Sequence, residues 1–434
     1  MSVKASIAFI LVAFFISGLA LAQVSQSPAL TGALEELNKG KLFEGFRMLK
    51  EIVRIETSSA PAHFYLSSLY TRMGRYLTAF RHLSTAMEAN PGQGAYYHQL
   101  GVIRLYEGCR PEALTAFQQA LRIGMGKDEV SAWRHIGDLQ LDMLAWKEAI
   151  EAYTNALRLD SNDAGAHLAL GRLYLDRNDP ERAIVELRAA LKTQPGMDGV
   201  HANLGRAYRA TGDLPSAVTI LEQGIERNPS DQDSRYLLGQ VLLMLGRNDQ
   251  GRREMEEYSR LQEQINQTNT TFETAVERAQ AGDLDRAEGL LKETLRLAPR
   301  YGPALRVMGA ISLNRGNSKG AVEMLQQALT SNPLHPETYF ALAATYFRDG
   351  KLIEALDMIE RALVIDEEDP RYYALLGAIY SKMNRATEAR TAVDRAAQLR
   401  SRPGYKPSDP YASEMRYRDD AETVKEICGQ DADR

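Results

Sequence analysis

The sequence contains almost no cysteine: Cys109 and Cys428 are the only two in 434 residues. Their spacing fits no metal site, and so few thiols exclude a disulfide-dense scaffold. Histidine is also scarce. The seven histidines include no H-x-x-x-H or H-E-x-x-H pair, so no metal and no cofactor is expected. Charge of one sign is lacking too. A net charge of −5 with 25% charged residues argues against a nucleic-acid partner. After residue 22 no apolar run is long enough to cross a bilayer.

What is present begins with residues 1–22, MSVKASIAFILVAFFISGLALA. Lys4 precedes an uncharged apolar run that ends in Ala20-Leu21-Ala22 before Gln23. This is the form of a secretory signal peptide with an A-x-A cleavage site. Cleavage after Ala22 would leave a periplasmic or secreted chain. The other reading is an uncleaved anchor over residues 5–22, barely long enough to span a membrane. Only then would the chain be membrane-tethered. No cysteine follows the signal, which argues against a lipoprotein.

The rest of the chain repeats itself. Ala164–Pro229 slides onto itself with a shift of 34 residues: Gly171 falls on Gly205, Tyr174 on Tyr208, Ala183 on Ala217 and Pro195 on Pro229. A fixed period of this kind marks a repeat array. Leu168, Leu170, Gly171 and Tyr174 recur at three- and four-residue steps, as do Ala183, Leu187 and Ala190. Each unit is therefore two amphipathic helices. Asp179-Pro180 suits a helix start. One hairpin cannot bury its own apolar face, so neighbours must stack on it.

The pattern runs the length of the chain. One small-residue column reads Ala33, Ser67, Gly101, Gly137, Gly171, Gly205, Gly239, Ala275, Gly309, Ala343, Gly377. Twelve residues after each comes Gly45, Ala79, Ala113, Ala149, Ala183, Ala217, Gly251, Ala287, Ala321, Ala355, Ala389. These columns resemble the eighth and twentieth positions of tetratricopeptide repeats (TPR). The resemblance covers about residues 27–399. It implies an all-α fold: a right-handed superhelical α-solenoid of about eleven 34-residue helix-turn-helix units. It also implies a non-catalytic protein-protein interaction scaffold.

Two arrays are expected, 23–265 with about seven repeats and 266–399 with about four. Asn266–Thr271, rich in poor helix formers, reads as the joint between them. Residues 400–434 leave the pattern, as a polar cap or a disordered tail. Gly124-Met125-Gly126-Lys127 lengthens one repeat and reads as a connector, since Asp128 stands where a phosphate loop needs Ser or Thr. Gly316-Asn317-Ser318-Lys319-Gly320 matches G-x-S-x-G, but that elbow needs a preceding strand and a helix precedes here. A solenoid keeps its ends apart unless it curls, which argues against a bridge between Cys109 and Cys428.

No catalytic constellation emerges. In the resembled family the first helices line a concave groove, and repeat positions two, five, nine and twelve face the ligand. Carried onto this chain, those positions are Arg134, Arg172, Arg206, Arg209, Tyr236 and Gln240. Arginine suits bidentate contacts with carboxylates, so the expected partner is an acidic protein or peptide segment. The competing reading is a solvated face in which Asp138, Asp142 and Asp176 neutralise the arginines. A second function class is a structural subunit of a cell-envelope or polysaccharide-export assembly, tethered by the N-terminal helix if uncleaved. A catalytic tail is the weakest reading, because the tail has no histidine.

Overall fold

A computed structural model describes residues 27–402. Among these residues, 21 α-helices pack in successive pairs. They form two compact units, one of Asn90–Asn266 and one that joins the helices before Asn90 to those from Gln267 onward. In chain order the first helices are α1 Pro28–Asn38, α2 Leu42–Ile55, α3 Ala60–Arg72 and α4 Tyr76–Ala89. Then come α5 Gly94–Tyr106, α6 Arg110–Ile123, α7 Glu129–Asp142, α8 Trp146–Leu159, α9 Ala164–Asp176 and α10 Pro180–Thr193. They are followed by α11 Val200–Thr211, α12 Leu214–Arg227, α13 Gln232–Met244, α14 Asn248–Gln280 and α15 Leu284–Leu297. The last are α16 Gly302–Asn314, α17 Ser318–Ser331, α18 Pro336–Arg348, α19 Leu352–Ile365, α20 Pro370–Lys382 and α21 Ala386–Arg400. No described helix is long and apolar enough to cross a membrane.

The pairing follows from one steric rule repeated down the chain. Where the first helix carries glycine in the small-residue column, that glycine lies under a large side chain of the second helix. A Cβ on Gly137 would stand 2.5 Å from the Tyr153 ring, and one on Gly171 2.5 Å from Leu187 Cγ. Gly205 under Leu221 and Gly309 under Leu325 repeat the contact. Ala183, Leu187, Leu204, Ala217, Leu221 and Leu238 form one continuous buried cluster across three repeats. Aspartate and asparagine side chains cap many helix starts, as Asp163, Asp179, Asp213 and Asn317 do. They satisfy amide groups that the first turn leaves open.

Eleven sequence units become about ten repeats, because one helix serves two of them. α14 is 33 residues long and runs unbroken through Asn266–Thr271. Helix propensity is a weak prior that local bonding overrides here. Thr271 Oγ1 donates to the Gln267 carbonyl at 2.7 Å and Thr274 Oγ1 to the Thr270 carbonyl at 2.8 Å. Thr294 Oγ1 on α15 donates to Thr271 Oγ1 at 3.1 Å.

Sequence-distant helices also meet inside the unit that joins the helices before Asn90 to those from Gln267 onward. Arg75 Nη1 donates to the Ile365 carbonyl at 3.1 Å, and Nη2 lies 3.0 Å from Asp366. Lys50 pairs with Glu367 at 3.1 Å. The Phe43 and Tyr339 rings lie 5.4 Å apart, with Arg361 4.9 Å over Phe43. The expectation that the ends stay apart fails here: α2 and the turn before α4 dock on α18, α19 and the loop after it. Cys109 is disulfide-bonded, against the expectation from spacing. Cys428, the other cysteine of the sequence, lies outside the described residues, as do residues 1–26 and 403–434.

Candidate functional site

In the Asn90–Asn266 unit the first helices of repeats four to seven are α7, α9, α11 and α13, and successive ones touch. They carry all six of the expected groove residues: Arg134 on α7, Arg172 on α9, Arg206 and Arg209 on α11, Tyr236 and Gln240 on α13.

The four arginines differ in how far they are neutralised. Arg134 Nε lies 3.4 Å from Asp163 Oδ1 on the next repeat. Its side chain runs across Gly165, where a Cβ would clash with the guanidinium. Arg206 reaches Asp176 at 3.3 Å, with both side chains well exposed. Arg209 donates to the side-chain oxygen of Gln240, a neutral acceptor that leaves its charge in place. Arg172 is exposed and makes no hydrogen bond or ion pair among the described residues. Tyr236 is 38% exposed and packs against Tyr258 with ring centroids 5.2 Å apart.

The three aspartates do not neutralise the arginines as a set. Asp138 accepts the Tyr153 hydroxyl at 2.6 Å. Asp142 pairs with Arg110 at 3.2 Å. Only Asp176 meets one of the four arginines. Burial, reinforced by the Asp138 charge, pushes the Tyr153 hydroxyl up, so it stays a donor. Burial also holds His135 below the ordinary imidazole range and lowers His98 to about 3. Both are uncharged near neutrality.

The same helices carry apolar side chains that pack on the core clusters, among them Leu141, Leu168 and Leu175. Leu141, Leu168 and Leu175 are half-buried, and Leu243 is 41% exposed.

Sequence reasoning missed two features. Asp163 is both the partner of Arg134 and the cap of α9, where it accepts from the Ala166 amide at 2.6 Å. Its cap position was legible, but its reach to the preceding repeat was not. A cleft of about 380 Å³ also lies among α12, α13 and α14, lined by Glu222, Glu226, Arg247 and Arg253. Leu238 and Leu242 of α13 also line it, away from the six expected groove residues. Its walls carry both signs of charge, and Glu254 within it is already paired with Arg235 at 2.8 Å.

The other motifs have structural roles. Gly316 makes a turn at φ +83°, Asn317 caps α17 through the Gly320 amide at 3.0 Å, and Ser318 opens that helix. Gly124 ends α6 at φ +95° in the connector. His63 and His201 are buried, and His167 bonds Glu186 at 2.6 Å. No group of three metal-ligating side chains occurs among the described residues.

A tetratricopeptide repeat profile matches residues 141–196, 175–233 and 312–379. Two further profiles of the same description match residues 370–402 and 232–257. No curated protein matches. Among solved structures, similarity extends to YrrB, a TPR protein with an unusual peptide-binding site. The two are 19% identical, over 43% of this chain and 95% of that one, with a TM-score of 0.35. The P58(IPK) TPR domain is 15% identical over 87% of this chain and 99% of that one, with a TM-score of 0.27. A MamA mutant is 17% identical over 39% and 96%, with a TM-score of 0.33. The repeat profiles fall on helix pairs already established by the packing, and this chain is a tetratricopeptide-repeat protein.

Proposed function

We propose that this chain is a non-catalytic scaffold that binds an acidic segment of a partner protein across α7, α9, α11 and α13, outside the cytoplasm. Tetratricopeptide arrays serve protein-protein interaction, and this membership supports the general reading. The observation that carries the finer one is Arg172, an exposed arginine with no partner among the described residues. Beside it Arg209 is held by a neutral amide. A carboxylate arriving at either residue gains a charge-assisted contact without first displacing another carboxylate. At Arg206 it would have to displace Asp176, so that residue contributes less.

Two features support the location. Residues 1–22 have the form of a cleavable signal. Cys109 is disulfide-bonded, a state that persists in oxidising compartments.

The test is a crosslinking pull-down with the mature tagged protein, beside a variant carrying Arg172→Glu, Arg206→Glu and Arg209→Glu. The reading predicts one partner that the variant loses, at least tenfold in recovery, while it stays helical. A partner retained by the helical variant refutes the groove. A mature amino terminus other than Gln23 refutes the assigned cleavage.

A further inference from the structure

One position of the repeat is exposed everywhere but in the first unit of the chain. Two residues before each member of the second small-residue column stand residues such as Lys147, Glu181, Pro215 and Ile353, all exposed, with Ile353 76% exposed. In the first repeat the same position is Phe43, only 6% exposed. A helix pair leaves this position open, so something outside the pair covers Phe43. The cover comes from helices much later in the chain. The Tyr339 ring on α18 lies 5.4 Å away, and the Arg361 guanidinium of α19 stands 4.9 Å over the Phe43 ring. All three residues belong to one compact unit.

Around this aromatic contact the charges are sorted. Lys50 on α2, Arg75 before α4 and Arg81 on α4 face Glu367, Asp366 and Glu368 of the loop after α19, at 3.1, 3.0 and 3.9 Å. Arg361 lies 3.8 Å from Glu44 in the opposite sense. The Arg75–Asp366 pair is largely buried, whereas Glu367, Arg81 and Glu368 are each more than half exposed. Exposed pairs hold weakly and are screened by salt. The stacking of neighbouring repeats rests instead on apolar clusters such as Ala287, Leu291 and Ala304, which salt does not screen.

We propose that this contact is a salt-operated latch. Closed, it holds α2 and α4 of the first two repeats on α18, α19 and the loop after α19. Raised ionic strength releases it and lays open Phe43 together with the cationic patch of Lys50, Arg75 and Arg81. The latch does not draw on the arginines of α7, α9 and α11, and either can fail alone.

The test is hydroxyl-radical footprinting of the full mature chain in sodium chloride, read at Phe43, with hydrogen exchange read at residues 365–369. From about 0.1 M to about 1 M salt the screening length falls from about 10 Å to about 3 Å. Over that range Phe43 labelling and exchange at 365–369 should rise together, by about tenfold in exchange. Phe117, fully buried in the Asn90–Asn266 unit, should label no faster. Charge reversal is the second route. Lys50→Glu with Arg81→Glu should open the latch at low salt, and adding Glu367→Lys with Glu368→Lys should close it again. That rescue separates a latch from a variant that has lost its fold. Phe43 labelling independent of salt would overturn the latch, as would a fourfold variant that labels like the twofold one. So would Phe117 labelling that rises in parallel, because the array would then be loosening as a whole.

Discussion

Two glycine-to-alanine changes, chemically identical, should move stability in opposite directions. In Gly171→Ala the new methyl would lie 2.5 Å from Leu187 Cγ and 2.8 Å from its Cδ2. Ordinary contact needs about 1 Å more, and Leu187 is fully buried with Ala183 beside it. Overpacking of this kind costs about 1–3 kcal/mol. Alanine in a helix returns about 0.5–1 kcal/mol. Gly171→Ala should therefore destabilise by about 1 kcal/mol. Gly289 in α15 has nothing within 4 Å of its would-be Cβ, so Gly289→Ala should stabilise by about 0.5–1 kcal/mol. The difference between the two isolates the steric term. Repeat arrays can unfold in parts. Urea denaturation by circular dichroism should therefore be joined by hydrogen exchange read repeat by repeat. In a Leu187→Ala background the Gly171→Ala change should turn stabilising, as coupled neighbours do. Equal stabilisation by both alanines in the wild-type background would refute the packing account.

Three other outcomes follow from the same structure. His63 Nε2 donates to the Thr57 carbonyl at 3.0 Å, so its Nδ1 must accept from His82 Nδ1 at 2.9 Å. Burial, then the His63 and Lys50 charges, lowers His82 to about 4. The unfolded chain protonates His82 near pH 6.5 and the folded chain does so only near 4. Stability should fall as pH drops through that window, by up to about 3 kcal/mol, and His82→Gln should flatten the slope in urea titrations at stepped pH. Leu144, at φ +60° and 68% exposed, occupies a turn site held elsewhere by glycine or asparagine. Leu144→Asn should raise the denaturation midpoint, by about 1 kcal/mol, and a lower midpoint would argue that Leu144 packs on something. Arg75→Ala removes a hydrogen bond and a half-buried ion pair to the loop after α19. It should cost about 2 kcal/mol and speed exchange in both α4 and residues 365–369, whereas a change confined to α4 would contradict that contact.

The helices and their pairing were legible because one period of small and large residues encodes both. Gly137 predicts a close partner, and Tyr153 sixteen residues on supplies it. α14 was not legible in that way, since Thr271 and Thr274 disfavour helix until their hydroxyls find carbonyls one turn back. The docking of Arg75 on Ile365 and Asp366 was also hidden. It joins residues 290 apart, and no periodic signal marks a contact between repeats that are not neighbours. At the candidate site, the family positions chose the arginines but not their state. Asp138 and Asp142 lie near enough in sequence to neutralise them, but the fold commits Asp138 to Tyr153 and Asp142 to Arg110.

The groove claim is tested most directly by photocrosslinking from single positions in cells. One probe would replace Leu175, half-buried on the first helix α9 that carries Arg172, and the other Val185, 65% exposed on the second helix α10. The account predicts a protein adduct from position 175 and none from 185, with the crosslinked peptide rich in aspartate or glutamate. An adduct from 185 alone, or a basic peptide captured at 175, would contradict it.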